Sequence, residues 1–302
     1  MHFFSPANVM PLLENVAGAK TSHRSIATAM KLGGRLRKKA VLARNCFGFI
    51  GNRKLAGKAG TGPHLSLRLV TTSPLPRPAG MLEPYLREAL FLIEDGAGCK
   101  EVDRVLTQYG LAMGPFTMSD LAGIDIGYNI RKDNGWDEAW ASERGQRYWG
   151  GLADALVERG RCGQKTKAGF YDYPEGRTPV ESPEVEGLIA DASAARGITR
   201  RPISEGEILD RSLLPLVNEG FKIVEEGIAQ RESDLNIVYL YGYGFPRKSG
   251  GPMHWARHVR EGGLPKVLAD IREYQTRHPD VPHWAPSELL VAEADKQAAK
   301  AS

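Results

Sequence analysis

This chain of 302 residues lacks most of the patterns that announce a chemistry outright. Its three cysteines, Cys46, Cys99 and Cys162, lie far apart and form no Cys-x-x-Cys pair. That excludes a disulfide framework and a thiolate zinc site, and points to a reducing compartment. No G-x-G-x-x-G and no Walker motif occurs, so no cofactor-binding residue can be assigned from a glycine pattern. There is no secretory signal and no apolar run long enough to cross a membrane. Asp120 and Asp125 have no further acid or histidine at ligand spacing, so they read as capping and turn residues and no metal is expected. Positions 15–82 hold no acid at all. The closing "KQAAKAS" is not an S-K-L type address.

What is present is ordinary for a globular protein. Hydrophobic residues make up 42% and charged residues 25%, enough for two domains and a sizeable core. The net charge of +4 suits anionic ligands. Nucleic acid is not expected, because the basic stretch lacks interleaved aromatics and a defined motif. That stretch reads either as a face toward the phosphates of a nucleotide-like ligand or as a solvated basic surface.

Along the chain, "HFFSP" predicts a short strand ended by Pro6. A helix is expected from about Ser22, its N-cap, and then a short buried strand at "AVLA". Strand, helix, strand is the tail of an α/β unit. Residues 54–80 are rich in proline and glycine and lack a period, so a loop or disordered segment is expected there. From position 81 the pattern turns helical. "MLEPYLREALFLIEDG" and "KEVDRVLTQYG" read as helices, and "GPFTMSDLAGIDIGYNIRKD" as a turn and one further helix. Ser204 and Glu207 stand at capping-box spacing before another long helix. Glu88, Glu94, Gly96, Glu101 and Asp103 each match an identical residue 131 positions on, ending at Asp234, and a Gly-Pro follows in both stretches. An internal duplication of helical units is the economical reading.

A few residues could carry chemistry. His2 with Glu14 could form a general base whose tautomer a carboxylate fixes, although a spacing of twelve equally suits two unrelated residues. The Asn52 amide could bond a ligand carbonyl or hydroxyl, or cap a helix. Ser5 before Pro6 could be a turn residue.

Together "HFFSPANVMPLLE", "CFGFIGNR", "MGPFTMSDLAGID", "GQKTKAGFYDY" and "YLYGYGFPRKSGGPM" resemble the 3-hydroxyacyl-CoA dehydrogenase family, in the order that family uses. The second helical stretch is similar to that of the multifunctional β-oxidation enzymes. The resemblance implies His2 as the base that takes the proton of the 3-hydroxyl, Glu14 as its partner, and Ser5 and Asn52 at the substrate. It implies oxidation of (3S)-3-hydroxyacyl-CoA to 3-ketoacyl-CoA with NAD, an acyl-CoA substrate, and a peroxisomal, mitochondrial or bacterial setting, of which the peroxisome is preferred.

The expected fold class is mainly α. Residues 1–44 would be a truncated Rossmann-like α/β remnant of an NAD-binding domain. Residues 45–175 would be a first helical dehydrogenase C-terminal domain, interrupted by an insertion at 54–80 from unspliced or alternatively spliced sequence. Residues 203–296 would be a second, tandem helical domain. Since the family's glycine-rich turn lies upstream of its "HFF" segment, the chain is expected to begin inside such an enzyme and to turn over little by itself. The alternative function is a non-catalytic helical module for acyl-CoA binding or self-association.

Overall fold

A computed structural model describes residues 1–4, 6–45, 49–50 and 82–301. Ser5, Cys46, Asn52 and the stretch 54–80 lie outside the described residues, and so do the expectations placed on them.

The chain opens with a three-stranded sheet in the order β1-β2-β3, built from β1 (His2–Phe3), β2 (Leu12–Ala17) and β3 (Lys39–Arg44), with helix α1 (His23–Arg35) between β2 and β3. β1 runs antiparallel to β2, while β2 and β3 are parallel and need the α1 crossover to join them. The strand–helix–strand unit is therefore β2-α1-β3. The central strand lies in the "PLLENV" stretch, which carries no clean alternation because Leu12, Leu13 and Glu14 are all fully buried. Ser22 caps α1 by accepting the Ser25 N–H. Gly33 lets α1 sit close on the sheet, since a methyl there would stand 2.9 Å from the Ala40 Cβ. The Lys38 ammonium bonds the Ala7 and Met10 carbonyls and pins the β1–β2 connection.

The rest is helical. α2 (Leu82–Asp95) is buried almost all round, as expected of a helix at the centre of a bundle. α3 (Cys99–Tyr109) ends at Gly110 in the left-handed conformation. α4 (Pro115–Ala122) and α5 (Ile124–Asn134) are two helices where the pattern suggested one, because Gly123 at φ 102° breaks the ladder. α6 (Glu138–Ser142) and α7 (Gly151–Glu158) follow, then a small hairpin of β4 (Tyr171–Asp172) and β5 (Val180–Glu181). α8 (Pro183–Ala195), which the sequence reading passed over although Ser182-Pro183 and two first-turn glutamates mark its start, packs on α2 and α7. α9 (Glu205–Glu225) begins at Ser204, whose hydroxyl accepts the Glu207 N–H as the capping pattern predicts. α10 (Glu232–Gly242), the short α11 (Pro252–His254) with a π-turn at Trp255–Val259, α12 (Gly263–Arg277) and α13 (Glu288–Ala301) complete the chain. Among the described residues no helix is long and apolar enough to cross a membrane.

Buried polar groups tie these layers together. α2 lies along α9, and between them Arg211 bonds Glu88 at 2.6 Å and Asp95 at 2.7 Å. The second Glu88 oxygen accepts from His283 and Trp284. Asp103 caps α4 through the Phe116 and Thr117 N–H groups. Asp120 in turn accepts the Phe170 and Tyr171 N–H groups and the Tyr173 hydroxyl, which holds the "GFYDY" loop on α4. At the start of α11, Asn236 accepts the Met253 and His254 N–H groups as Asp103 does for α4. The residue that plays the Asp103 part is thus Asn236, two places beyond the Asp234 of the sequence match.

The sheet rests on the α9–α10 end of the bundle. The Arg44 N–H donates to the Ile228 carbonyl, and Gly242 sits so close that a methyl there would be 2.6 Å from Leu12 Cδ2.

Candidate active site

The β1–β2 register puts His2 directly across from Glu14. Twelve residues separate them in sequence, and a single antiparallel pairing removes that distance. His2 Nδ1 lies 2.9 Å from Glu14 Oε2. An ionised carboxylate can only accept, so Nδ1 carries the proton and Nε2 presents its lone pair. The Glu14 side chain is 0% exposed and the His2 side chain 33% exposed, so the carboxylate is enclosed while the ring opens outward. Glu14 Oε1 accepts the Ile50 N–H at 3.1 Å, which fixes the carboxylate from its other side. A buried carboxylate needs such donors to stay charged.

Aromatic rings enclose the pair. Phe4 and Phe49 stand 4.9 and 5.3 Å from the His2 ring, centroid to centroid. Tyr243, just past α10, meets Phe4 edge-on at 6.0 Å. Burial first, and then the Glu14 charge, push the Tyr243 hydroxyl well above its ordinary range. The arrangement is a histidine–carboxylate pair flanked by aromatic rings, of the kind whose second nitrogen can take a proton from a hydroxyl.

Of the four residues expected at the site, the structure brings His2 and Glu14 together, while Ser5 and Asn52 lie outside the described residues. The sequence reading did not pick out Phe49 or Tyr243. Both stand in stretches with a recognisable pattern, "CFGFIGNR" and "YLYGYGF", but nothing local says that either approaches position 14.

A dinucleotide would need backbone N–H groups aimed at its diphosphate. The β2–α1 turn has a single glycine, and the Gly18 N–H is consumed by the Thr21 hydroxyl at 3.0 Å. That turn therefore leaves its glycine N–H engaged within the chain. A cavity of about 430 Å³ does lie where the ends of β2 and β3 meet α1 and the α9–α10 turn, lined by Thr21, His23, Arg44 and Gln230 among apolar residues.

Comparison with known proteins bears on the same residues. Residues 1–46 match the family model described as 3-hydroxyacyl-CoA dehydrogenase, NAD binding domain, and residues 79–173 match 3-hydroxyacyl-CoA dehydrogenase, C-terminal domain. The chain is 41% identical over 299 residues to the peroxisomal bifunctional enzyme of Danio rerio, covering 96% of this chain and 37% of that protein. It is 40% identical over 297 residues to the peroxisomal bifunctional enzyme of Homo sapiens, with the same two coverages. The chain thus spans little more than a third of the length of these relatives. Among solved structures, the dehydrogenase part of multifunctional enzyme 1 from C. elegans aligns with a TM-score of 0.65 at 26% identity, over 96% of this chain and 58% of that one. The 3-hydroxybutyryl-CoA dehydrogenase of Escherichia coli K12 shares the fold at a TM-score of 0.70 and 20% identity, over 99% of this chain and 70% of that one. The His–Glu pair lies inside the first matched segment and the α2–α4 bundle inside the second, so the chain carries segments that match both domains of the 3-hydroxyacyl-CoA dehydrogenase family.

Proposed function

We propose that this chain carries the proton-accepting half of a 3-hydroxyacyl-CoA dehydrogenase of fatty-acid β-oxidation. The observation that carries the reading is the His2–Glu14 pair, with Nδ1 engaged and Nε2 open. In this reading His2 Nε2 takes the proton of the substrate's 3-hydroxyl as the C3 carbon gives up its hydride. Glu14 holds the ring and stabilises the imidazolium that results. Ser5 and Asn52 contact the substrate. NAD, when bound, would supply the hydride acceptor, and the support for it is the match of residues 1–46 to an NAD binding domain.

In the same reading, residues 1–44 are the tail of a Rossmann-like sheet. Residues 45–175 and 203–296 form tandem helical units, a division favoured by the matched capping of α4 by Asp103 and α11 by Asn236. The peroxisome is the proposed compartment, on the strength of relatives described as peroxisomal.

The test is NADH formation from 3-hydroxybutyryl-CoA and NAD, with acetoacetyl-CoA binding followed by calorimetry. Loss of turnover in His2→Ala, and a fall of about 10²–10⁴-fold, supports the base assignment. A His2→Ala rate that falls by less than about tenfold overturns it. Acetoacetyl-CoA binding without any turnover favours the acyl-CoA-binding module instead. Neither binding nor turnover removes both readings.

A further inference from the structure

The "YLYGYGF" stretch opens one of the quoted motifs to which the proposed chemistry gives no task. It ends α10 and sits where three parts of the molecule meet. Gly242 lies against Leu12 and Phe4 of the sheet region. The Gly244 carbonyl accepts the Ala112 N–H, just past α3. Phe245 meets Tyr109 of α3 edge-on at 6.4 Å. The turn is also tied to itself, because the Tyr243 and Phe245 N–H groups both donate to the Tyr239 carbonyl. Gly244 takes φ 67°, which lets the chain reverse there without strain.

Tyr243 is the side chain this turn delivers to the sheet. It packs between the Tyr239 ring, 5.1 Å away, and the edge of Phe4, whose other neighbour is the His2 ring. The line of rings Tyr243–Phe4–His2 therefore ends at the ring that bonds Glu14. Glu14 is fully buried.

We infer that Tyr243 is a positioning residue for the His2–Glu14 pair: its ring backs Phe4 and keeps water from Glu14, so a residue about 240 positions from the base holds the base in one tautomer. It acts through Phe4 and Glu14, and touches no reacting atom. Within a dry pocket the Nδ1–H to carboxylate bond is strong, and admission of water lets the ring turn and exchange tautomers. The inference rests on the reading of His2 as the base for its relevance to catalysis, but the geometry of the pair can be read without turnover.

The experiment is ¹⁵N NMR of the His2 imidazole in the full chain, together with solvent exchange of its Nδ1 proton. The wild-type protein is expected to show a single Nδ1–H tautomer. Tyr243→Ala is expected to show mixed tautomers and at least tenfold faster exchange, while Tyr243→Phe restores both to within about twofold. Should the alanine variant lose the native backbone spectrum, Tyr243→Leu keeps the apolar volume, lacks the ring and is expected to behave as alanine would. Wild-type tautomer and exchange in a folded Ala or Leu variant overturns the inference, as does a phenylalanine variant as impaired as alanine. If the NMR result is as expected and no dehydrogenase activity is found, the positioning stands and the proposed reaction fails. If activity is present, kcat should fall in Tyr243→Ala with KM little changed.

Discussion

Glu88→Gln tests the claim that a buried ionic network joins the two long helices. Glu88 and Arg211 have side-chain exposures of 0% and 1%. Arg211 Nε donates to one Glu88 oxygen, and His283 Nε2 and Trp284 Nε1 converge on the other. Glutamine has one oxygen. If it stays with His283 and Trp284, its amide group faces the Arg211 donor, and two donors meet. Losing a charge-assisted hydrogen bond costs about 1.5–3 kcal/mol, and leaving a buried charge without its partner about 3–5 kcal/mol. Arg211 keeps Asp95 at 2.7 Å, so the low end applies, about 3 kcal/mol. At about 2 °C per kcal/mol for a chain of this size, the midpoint should fall by about 6 °C. Urea unfolding followed by tryptophan fluorescence measures the first figure, since Trp284 sits in the network, and circular dichroism the second. The double variant Glu88→Gln/Arg211→Met removes the stranded guanidinium, while Asp95 keeps Arg147 and Glu207 keeps Arg201. Its cost should fall short of the sum of the single variants by about 1–3 kcal/mol. A Glu88→Gln cost below about 1 kcal/mol, or strict additivity, would refute the reasoning.

Stability should also decline with acid. Burial alone would raise the Glu88 carboxyl, but Arg211 and His283 outweigh it and bring it to about 2, so its contribution is complete above pH 4.5 and is lost as pH falls toward 2. Burial lowers the His283 imidazole, which stays neutral in the fold while the unfolded chain takes up a proton below 6.5, so stability is already falling there. Asp120, pushed up to about 6 by burial, works in the opposite direction between 6 and 3.8 and offsets part of the loss. Melting curves from pH 7.5 to 3 check the sum, and a flat midpoint from 6.5 to 3 contradicts it. Gly96→Ala should be strongly destabilising, because Gly96 sits at φ 140° with the Arg201 carbonyl 2.0 Å from where a methyl would stand; a midpoint within 1 °C of wild type would rule that out. Ser22→Ala should cost about 1 kcal/mol by removing the α1 cap, read from a urea midpoint, and an unchanged midpoint would speak against it.

Much of the helical scaffold was legible because its signals are local. Ser22 and Ser204 start helices, each through bonds within three or four residues of the signal. Asp120 was read as a turn residue, and it does bind turn N–H groups, though those of a loop fifty positions away. The misses share a cause. β2 is covered on both faces, so the alternation that marks a strand is absent, and a glutamate sits in its middle. The break at Gly123 looks from sequence like a glycine that one helix could tolerate.

The site was legible in a different manner. A histidine and a glutamate twelve positions apart mean little until a family resemblance joins them, and the resemblance supplies the roles without the geometry. The amino-acid sequence by itself determined the helical class, several helix limits, the family resemblance and the residues to watch, since caps, periods and motifs act over a few neighbouring positions. Tertiary structure alone decided that His2 and Glu14 face each other across a strand pair, that Tyr243 meets Phe4 beside them and that Arg211 answers Glu88. Those pairings bridge 12 to more than 200 positions of chain, and they come from register and packing, which no local pattern encodes.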